Sequence, residues 1–162
     1  CGEKLSHDGA HVYSCSNGHT MFANASPTVA IFFVDNERNI TLSRRGIEPG
    51  KGMLDSFGGF LDGLETAEAA VTRELREETS LEPSDYEPPV FFGTATAPYR
   101  YQNEDRPIIS LMYWSRLKPG PQPKALDDVA EIVTLPINDV RLDDIYNEDV
   151  KTGFLTLKEM FK

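Results

Sequence analysis

Glu74, Glu77 and Glu78 stand three and four residues apart in a segment, 66–79, built of good helix formers, so their carboxylates share about a third of the helix circumference. Like charges at these spacings cost only about 0.2–0.5 kcal/mol per pair when exposed, and Arg73, four residues before Glu77, offsets part of that. The cost alone decides nothing. The neighbours decide more: Gly58-Gly59 precedes the segment, and a glycine pair lets backbone carbonyls approach a ligand closely. Clustered carboxylates are hard oxygen donors suited to Mg²⁺ or Mn²⁺. The three glutamates read as a metal platform.

The elements that must position this platform follow from the pattern around it. "TVAIFFVD" (28–35) is a nearly continuous apolar run and "NITLSRR" (39–45) alternates, with 35–38 as a polar turn, which predicts a hairpin. "GIEPGKG" is a loop, "MLDSF" a short strand, and Gly58-Gly59 a break before the helix that opens at Thr66. Val71 and Leu75 form the apolar stripe beside the acidic face. Two β-rich stretches, 89–101 and 107–117, flank a polar loop "QNEDR", and "KPGPQPK" (118–124) is a second loop. "VAEIVTL" is then a strand, Pro136 opens a helix through "INDVRLDDI", and "TLKEMFK" forms a terminal helix. Strands and helices mix without regular alternation, so the predicted class is α+β.

Global properties narrow the function. One domain accommodates 162 residues that are 40% apolar and 26% charged. The longest apolar run, 29–34, is far short of the ~20 residues of a membrane span, and no basic-then-apolar leader is present, which predicts a cytoplasmic protein with no membrane partner. A net charge of -10 argues against generic nucleic-acid binding. An anionic substrate would then need a cation between it and the protein. Beginning at Cys1 rather than methionine suggests a trimmed chain.

Gly59, five residues, Glu65, seven residues and then Arg73-Glu74-Leu75-Arg76-Glu77-Glu78-Thr79-Ser80-Leu81 resembles the signature box of the Nudix hydrolases. The one departure is Ser80, where that pattern has glycine just past the helix, in a position convenient for a left-handed backbone. The resemblance spans roughly 25–142, and the matched positions of Gly59, Glu65 and Arg73 weigh against a merely solvated acidic face. It implies an α/β/α sandwich around a mixed sheet. It also implies that Glu74, Glu77 and Glu78 bind Mg²⁺ or Mn²⁺ with the carbonyl of Gly58, while Glu65 and Arg73 pair to hold loop against helix. Phe57 stands where relatives often have proline. Asp128, in "LDDVAE", falls near the position of a further carboxylate in relatives and is the first choice for the water-activating base, with Glu131 and Glu104 as alternatives.

The implied reaction is metal-dependent hydrolysis of the diphosphate bond in a nucleoside diphosphate linked to another moiety, in which metals neutralise the phosphoryl charge and lower the pKa of bound water. Arg44 and Arg45 are candidate phosphate contacts, weighed evenly against a solvated strand end. Phe57, Tyr99 and Tyr101 are candidate substrate contacts, with core packing or sheet surface as the competing reading. Pro98, Tyr99 and Tyr101 lie where relatives often select substrate, and the proline-rich signature of NADH pyrophosphatases is absent, so ADP-ribose or a related dinucleotide is favoured. The alternatives are a (d)NTP pyrophosphohydrolase and a non-catalytic nucleotide-binding module of the same fold. The partner is a small nucleotide, and a homodimer is left open.

Residues 1–24 are set apart from 25–162 as an arm. "CG" at its start and "YSCSNGH" (13–19) resemble the remains of a zinc ribbon that precedes the domain in some relatives, with Cys1, Cys15 and His19 as candidate ligands and His7 or His11 as a fourth. Gly18 stands where the second knuckle's other cysteine belongs. The favoured reading here is two free thiols and solvated histidines in a partly ordered arm, without Zn²⁺.

Overall fold

A strand buried on both faces explains the apolar run. In the computed structural model, which describes all residues except 8, 10, 102, 103 and 121 and leaves the side chains of 101 and 104 undescribed, that run is β4 (Ser26–Val34), with β1 (Ser6–His7), β2 (Val12–Ser14) and β3 (Thr20–Phe22) before it. Val29, Ile31 and Phe33 of β4 face one cluster with Phe57, Ala70, Val71, Leu75 and Leu81, while Ala30, Phe32 and Val34 face another with Met112, Ile145, Val150, Phe154 and Leu157. The strand period of two sends alternate side chains to opposite layers, so neither set can be polar.

The sheet forms around that strand. β5 (Asn39–Arg45) pairs antiparallel with its end, and with β6 (Leu54–Asp55) and β9 (Val129–Pro136). β8 (Glu104–Ser115) runs parallel to β4 and antiparallel to the edge strand β7 (Val90–Tyr101). The six-stranded mixed sheet has the order β6-β5-β4-β8-β7, with β9 joined to β5. Helix α1 (Ala67–Thr79) covers one face and α2 (Glu148–Met160) the other, which is the expected α/β/α sandwich. The first three strands make a separate small sheet.

Three expected elements differ. The predicted loop "QNEDR" is shorter, because Glu104, Asp105 and Arg106 continue β8 in register with Tyr101, Arg100 and Tyr99, and Arg100 pairs with Asp105 at 3.0 Å. The helix expected after Pro136 is instead a turn followed by a single 3₁₀ turn at Leu142–Asp144. Ile137, Val140 and Ile145 are buried there, so an apolar spacing that mimics a helix is satisfied by a folded loop. The terminal helix starts earlier than expected, at Glu148. Its Gly153 lies so close to β8 that a Cβ would meet Met112 Sδ at 2.5 Å, so close packing outweighs the poor helix propensity of glycine.

Candidate active site

The glycine pair and the acidic helix face are built against each other. Gly58 has φ +132°, and a Cβ on it would stand 2.1 Å from the carbonyl oxygen of Val29, so only glycine lets the loop lie along β4. Its N–H donates to Glu78 Oε2 at 3.0 Å. A Cβ on Gly59 would meet Glu74 Oε1 at 2.5 Å, so the second glycine makes room for the carboxylate. Thr66 caps the helix by accepting from the Ala69 N–H, and Ser80 ends it at φ 56° with its N–H donating to the Arg76 carbonyl.

Arg73 ties loop to helix. Its guanidinium donates to Glu65 at 2.7 and 3.3 Å, to the Phe60 carbonyl at 2.9 Å, to Glu74 Oε1 at 2.8 Å and to Glu77 Oε2 at 3.1 Å. The planar fork suits this divided task better than a lysine ammonium would. Hydrogen bonding to Arg73 holds the Glu65 carboxyl below its ordinary value.

Electrostatics separates the three glutamates. Burial pushes the Glu78 carboxyl well above the usual range; the Gly58 N–H opposes this, and the nearby Asp128, Glu74 and Asp55 reinforce it. Glu74 is also raised, first by burial, with Arg73 opposing and Glu77 and Asp128 adding. Glu77 is exposed, its side chain 50% accessible and paired with Arg73, and it is not among the residues that line the cleft with Glu74 and Glu78. Glu78 is buried with the Gly58 N–H as its donor, and the single Arg73 guanidinium is shared among Glu65, Glu74 and Glu77. Negative charge therefore exceeds positive charge in this oxygen donor set, and a divalent cation would offset the excess. The residues fit Mg²⁺ or Mn²⁺.

The cleft beside them encloses about 190 Å³ and is lined by Glu74, Glu78, Gly58, Gly59, Asp128 and Tyr99, among others. Its floor is polar. Asp55 accepts from Arg45 Nη1 at 2.7 Å, from Asn147 Nδ2 at 2.9 Å and from the Ser56 N–H at 2.9 Å. Burial raises its carboxyl to about 6 in spite of Arg45. Beside it Asp149 accepts from Ser110, whose hydroxyl also meets Thr28 Oγ1 at 2.6 Å. The other oxygen, Asp149 Oδ1, is buried and accepts no hydrogen bond among the described residues. At the rim Phe60 and Tyr99 meet edge to face, ring centres 5.4 Å apart.

A family model described as NUDIX domain matches residues 25–153. The chain belongs to the NUDIX family. A curated relative, an ADP-ribose pyrophosphatase of Methanocaldococcus jannaschii, is 41% identical over 58 residues, covering 35% of this chain and 34% of that one. The chain thus matches about a third of that relative's length. Among solved structures, a NUDIX hydrolase from Nitrosomonas europaea is 16% identical over 99% of this chain and 90% of that one, with a TM-score of 0.70. A bifunctional NMN adenylyltransferase/ADP ribose pyrophosphatase from Francisella tularensis, complexed with AMP and a Mn ion, is 23% identical over 85% of this chain and 42% of that one, with a TM-score of 0.63. At these identities the structural likeness is one of fold.

Within this NUDIX domain the expected site residues separate. Glu74, Glu78, Gly58, Gly59, Asp128, Arg45 and Tyr99 line one cleft, and Glu65 and Arg73 brace it. Arg44 does not line it: neighbouring residues of a strand point oppositely, and Arg44 binds Glu131 Oε2 at 2.8 Å and the Gly52 carbonyl at 2.7 Å. The same pair takes Glu131 away from the role of base. Phe57 is core, fully buried against Phe33 and α1, its backbone bridged to Ile31 of β4 just before the glycine break. The side chains of Tyr101 and Glu104 lie outside the described residues. Sequence reasoning missed Asp55, Asn147, Asp149, Ser110 and Phe60. No local spacing links them, and only buried polar positions such as Asp55 within the apolar strand "MLDSF" hinted at them.

Proposed function

We propose that this cleft hydrolyses the diphosphate bond of a nucleoside diphosphate joined to a second group, with ADP-ribose the favoured substrate. The observation that carries the reading is the convergence of Glu74, Glu78 and Asp128 with the Gly58-Gly59 backbone on one cleft of a NUDIX domain. The partial match to an ADP-ribose pyrophosphatase supports the substrate class. Mg²⁺ or Mn²⁺ held by Glu74, Glu78, the Gly58 carbonyl and Glu77 would neutralise the pyrophosphate charge and ease deprotonation of water. The Mn ion in the Francisella tularensis complex supports a divalent ion in this fold.

The chain's own groups orient the rest. Asp128, half-buried at the cleft, takes the proton of the attacking water as the water oxygen bonds to phosphorus and the bridging P–O bond breaks. Arg45 keeps its positive charge on the floor, where Asp55 holds it in place. Phe60 and Tyr99 offer ring surface at the rim, and Asp149 Oδ1 offers an acceptor for a substrate N–H or O–H. The substrate is a small nucleotide, and the reading places the protein in the cytoplasm. Among the described residues no helix is long and apolar enough to cross a membrane.

Purified protein with Mg²⁺ or Mn²⁺ is assayed against ADP-ribose, NADH, diadenosine polyphosphates and (d)NTPs, with products resolved by phosphorus NMR. AMP and ribose 5-phosphate from ADP-ribose, abolished by chelator, are expected. Preferential release of pyrophosphate from a triphosphate would move the substrate class. Nucleotide binding with no turnover on any of these would replace the enzyme by a binding module.

A further inference from the structure

A general base must be held to within about half an ångström of its working position, yet Asp128 ends a segment, 122–128, that has no helix or strand of its own. Backbone hydrogen bonds supply the rigidity. The Lys124 N–H donates to the Thr79 carbonyl at 3.0 Å and the Leu126 N–H to the Glu78 carbonyl at 2.9 Å. Both carbonyls belong to the last turn of α1, where a helix leaves its C=O groups without internal partners, so the segment takes up what α1 leaves open. Through Leu126, Asp128 is tied to the backbone of Glu78. Asp127 then turns the chain at φ 51°, and the Val129 N–H closes the turn on the Leu126 carbonyl at 3.0 Å.

The far side of the turn is fixed by β5. The Gly46 N–H donates to the Asp128 carbonyl at 2.6 Å, and a Cβ on Gly46 would stand 2.8 Å from that oxygen and 3.4 Å from the Ala130 nitrogen. Only glycine permits the approach. Arg44 pairs with Glu131 but Arg45 with Val129, so Ala130 is an extra residue, a β-bulge in β9. In an unbroken strand residues 129 and 131 would face the same way. Across the bulge they part: Val129 lines the cleft beside Arg45, while Glu131 pairs with Arg44 outside it. Gly46 holds the next residue, Asp128, on the cleft side, where its charge acts on Glu74, Glu78 and Arg45.

We propose that Gly46 is a positioning residue for the hydrolysis: its close backbone contact, next to the Ala130 bulge and opposite the tether to α1, aims the Asp128 carboxylate into the cleft beside Glu74 and Glu78. The inference rests on the reading of Asp128 as the base. The atoms that a Cβ at position 46 would meet are backbone, so no change of rotamer relieves the contact and the segment bearing Asp128 must shift. Glu74, Glu78 and Gly58 lie on other elements and stay in place.

Initial rates with Mg²⁺ on ADP-ribose, or on the best substrate of the assay panel, are measured for Gly46→Ala, Asp128→Asn and the double variant. Asp128→Asn should lose about 100-fold or more in kcat. Gly46→Ala should lose about 10-fold or more in kcat with KM and Mn²⁺ affinity unchanged, because a misplaced reacting group costs rate and not binding. In the double variant the Gly46→Ala cost should shrink to about twofold or less, since the group it misplaces is already gone. A substitution that merely loosened the fold would cost the same factor in both backgrounds. An ester in place of the amide between residues 45 and 46 deletes the N–H without adding an atom; it should lower kcat in the same direction even if Gly46→Ala fails to fold. The inference is overturned if Gly46→Ala or the ester turns over at the wild-type rate while Asp128→Asn does not, or if the Gly46→Ala cost is equal with and without Asp128. Wild-type turnover by Asp128→Asn would instead overturn the reading of Asp128 as the base, and the inference with it.

Discussion

Glu78 shows how one side chain can be costly to the fold and necessary to the chemistry. Its carboxyl is buried, with one N–H to accept from and three acidic neighbours, so its folded-state pKa lies above its unfolded value. A group raised in this way binds more protons folded than unfolded. Its contribution to stability is therefore most favourable below the unfolded pKa and is lost as pH climbs through the folded one. Glu78→Gln keeps the shape and an acceptor for the Gly58 N–H while removing the charge. In chelator at pH 8 this variant should melt higher than wild type, by a margin that narrows towards pH 5. Its turnover should fall by about 100-fold or more, since even groups that only support metal ligands cost about 10–100-fold when mutated. Thermal unfolding and initial rates on one preparation test both halves, and a variant that is less stable at pH 8 would contradict the electrostatic account.

At the scale of elements, helix α1 was legible because everything that defines it is local: the Thr66 cap, the Val71 and Leu75 stripe, and the glutamates with Arg73. The hairpin of β4 and β5 was legible for the same reason. Only the last turns of helix α2, from Thr156, were legible; its start at Glu148 was not, because Thr152 and Gly153 weaken local propensity there and the helix is held by burying Val150, Phe154 and Leu157 against β4 and β8. The cleft was read in part. Its acidic edge is one contiguous segment, whereas its floor is assembled from β6, β8 and the start of α2, which only the sheet order brings together. Ser80 tests how far a local departure matters. It holds φ 56° as the helix cap, a conformation that costs a residue with a Cβ about 1–2 kcal/mol, part of which glycine's greater chain entropy would cancel. Ser80→Gly should thus stabilise the protein by about 0.5–1 kcal/mol in urea unfolding with unchanged slope. The side chain is exposed and lies outside the cleft lining, so the rate should not change.

The whole molecule carries a net charge of -10 and gathers its raised carboxyls in one place. Burial raises Asp55 to about 6 and also lifts Glu74 and Glu78, whereas Glu65 and Glu82, each hydrogen-bonded to an arginine, are lowered. The lowered groups contribute stability above their unfolded pKa and lose it only as pH falls through the folded values, so they are fully ionised in both states by about pH 5.5. Asp55, raised to about 6, loses its proton in the folded state within the range from there to pH 8, Glu74 and Glu78 are shifted in the same direction, and each such proton is lost against the fold. Metal-free protein should accordingly melt lower at pH 8 than at pH 5.5 at constant ionic strength. Mn²⁺ binds the ionised carboxylates of the native cleft and not the scattered ones of the unfolded chain, so it should raise the melting temperature more at pH 8 than at pH 5.5. Calorimetry across that range, with and without Mn²⁺, checks both slopes. If Mn²⁺ produced an equal shift at both pH values, the cation would be binding somewhere other than the acidic cleft.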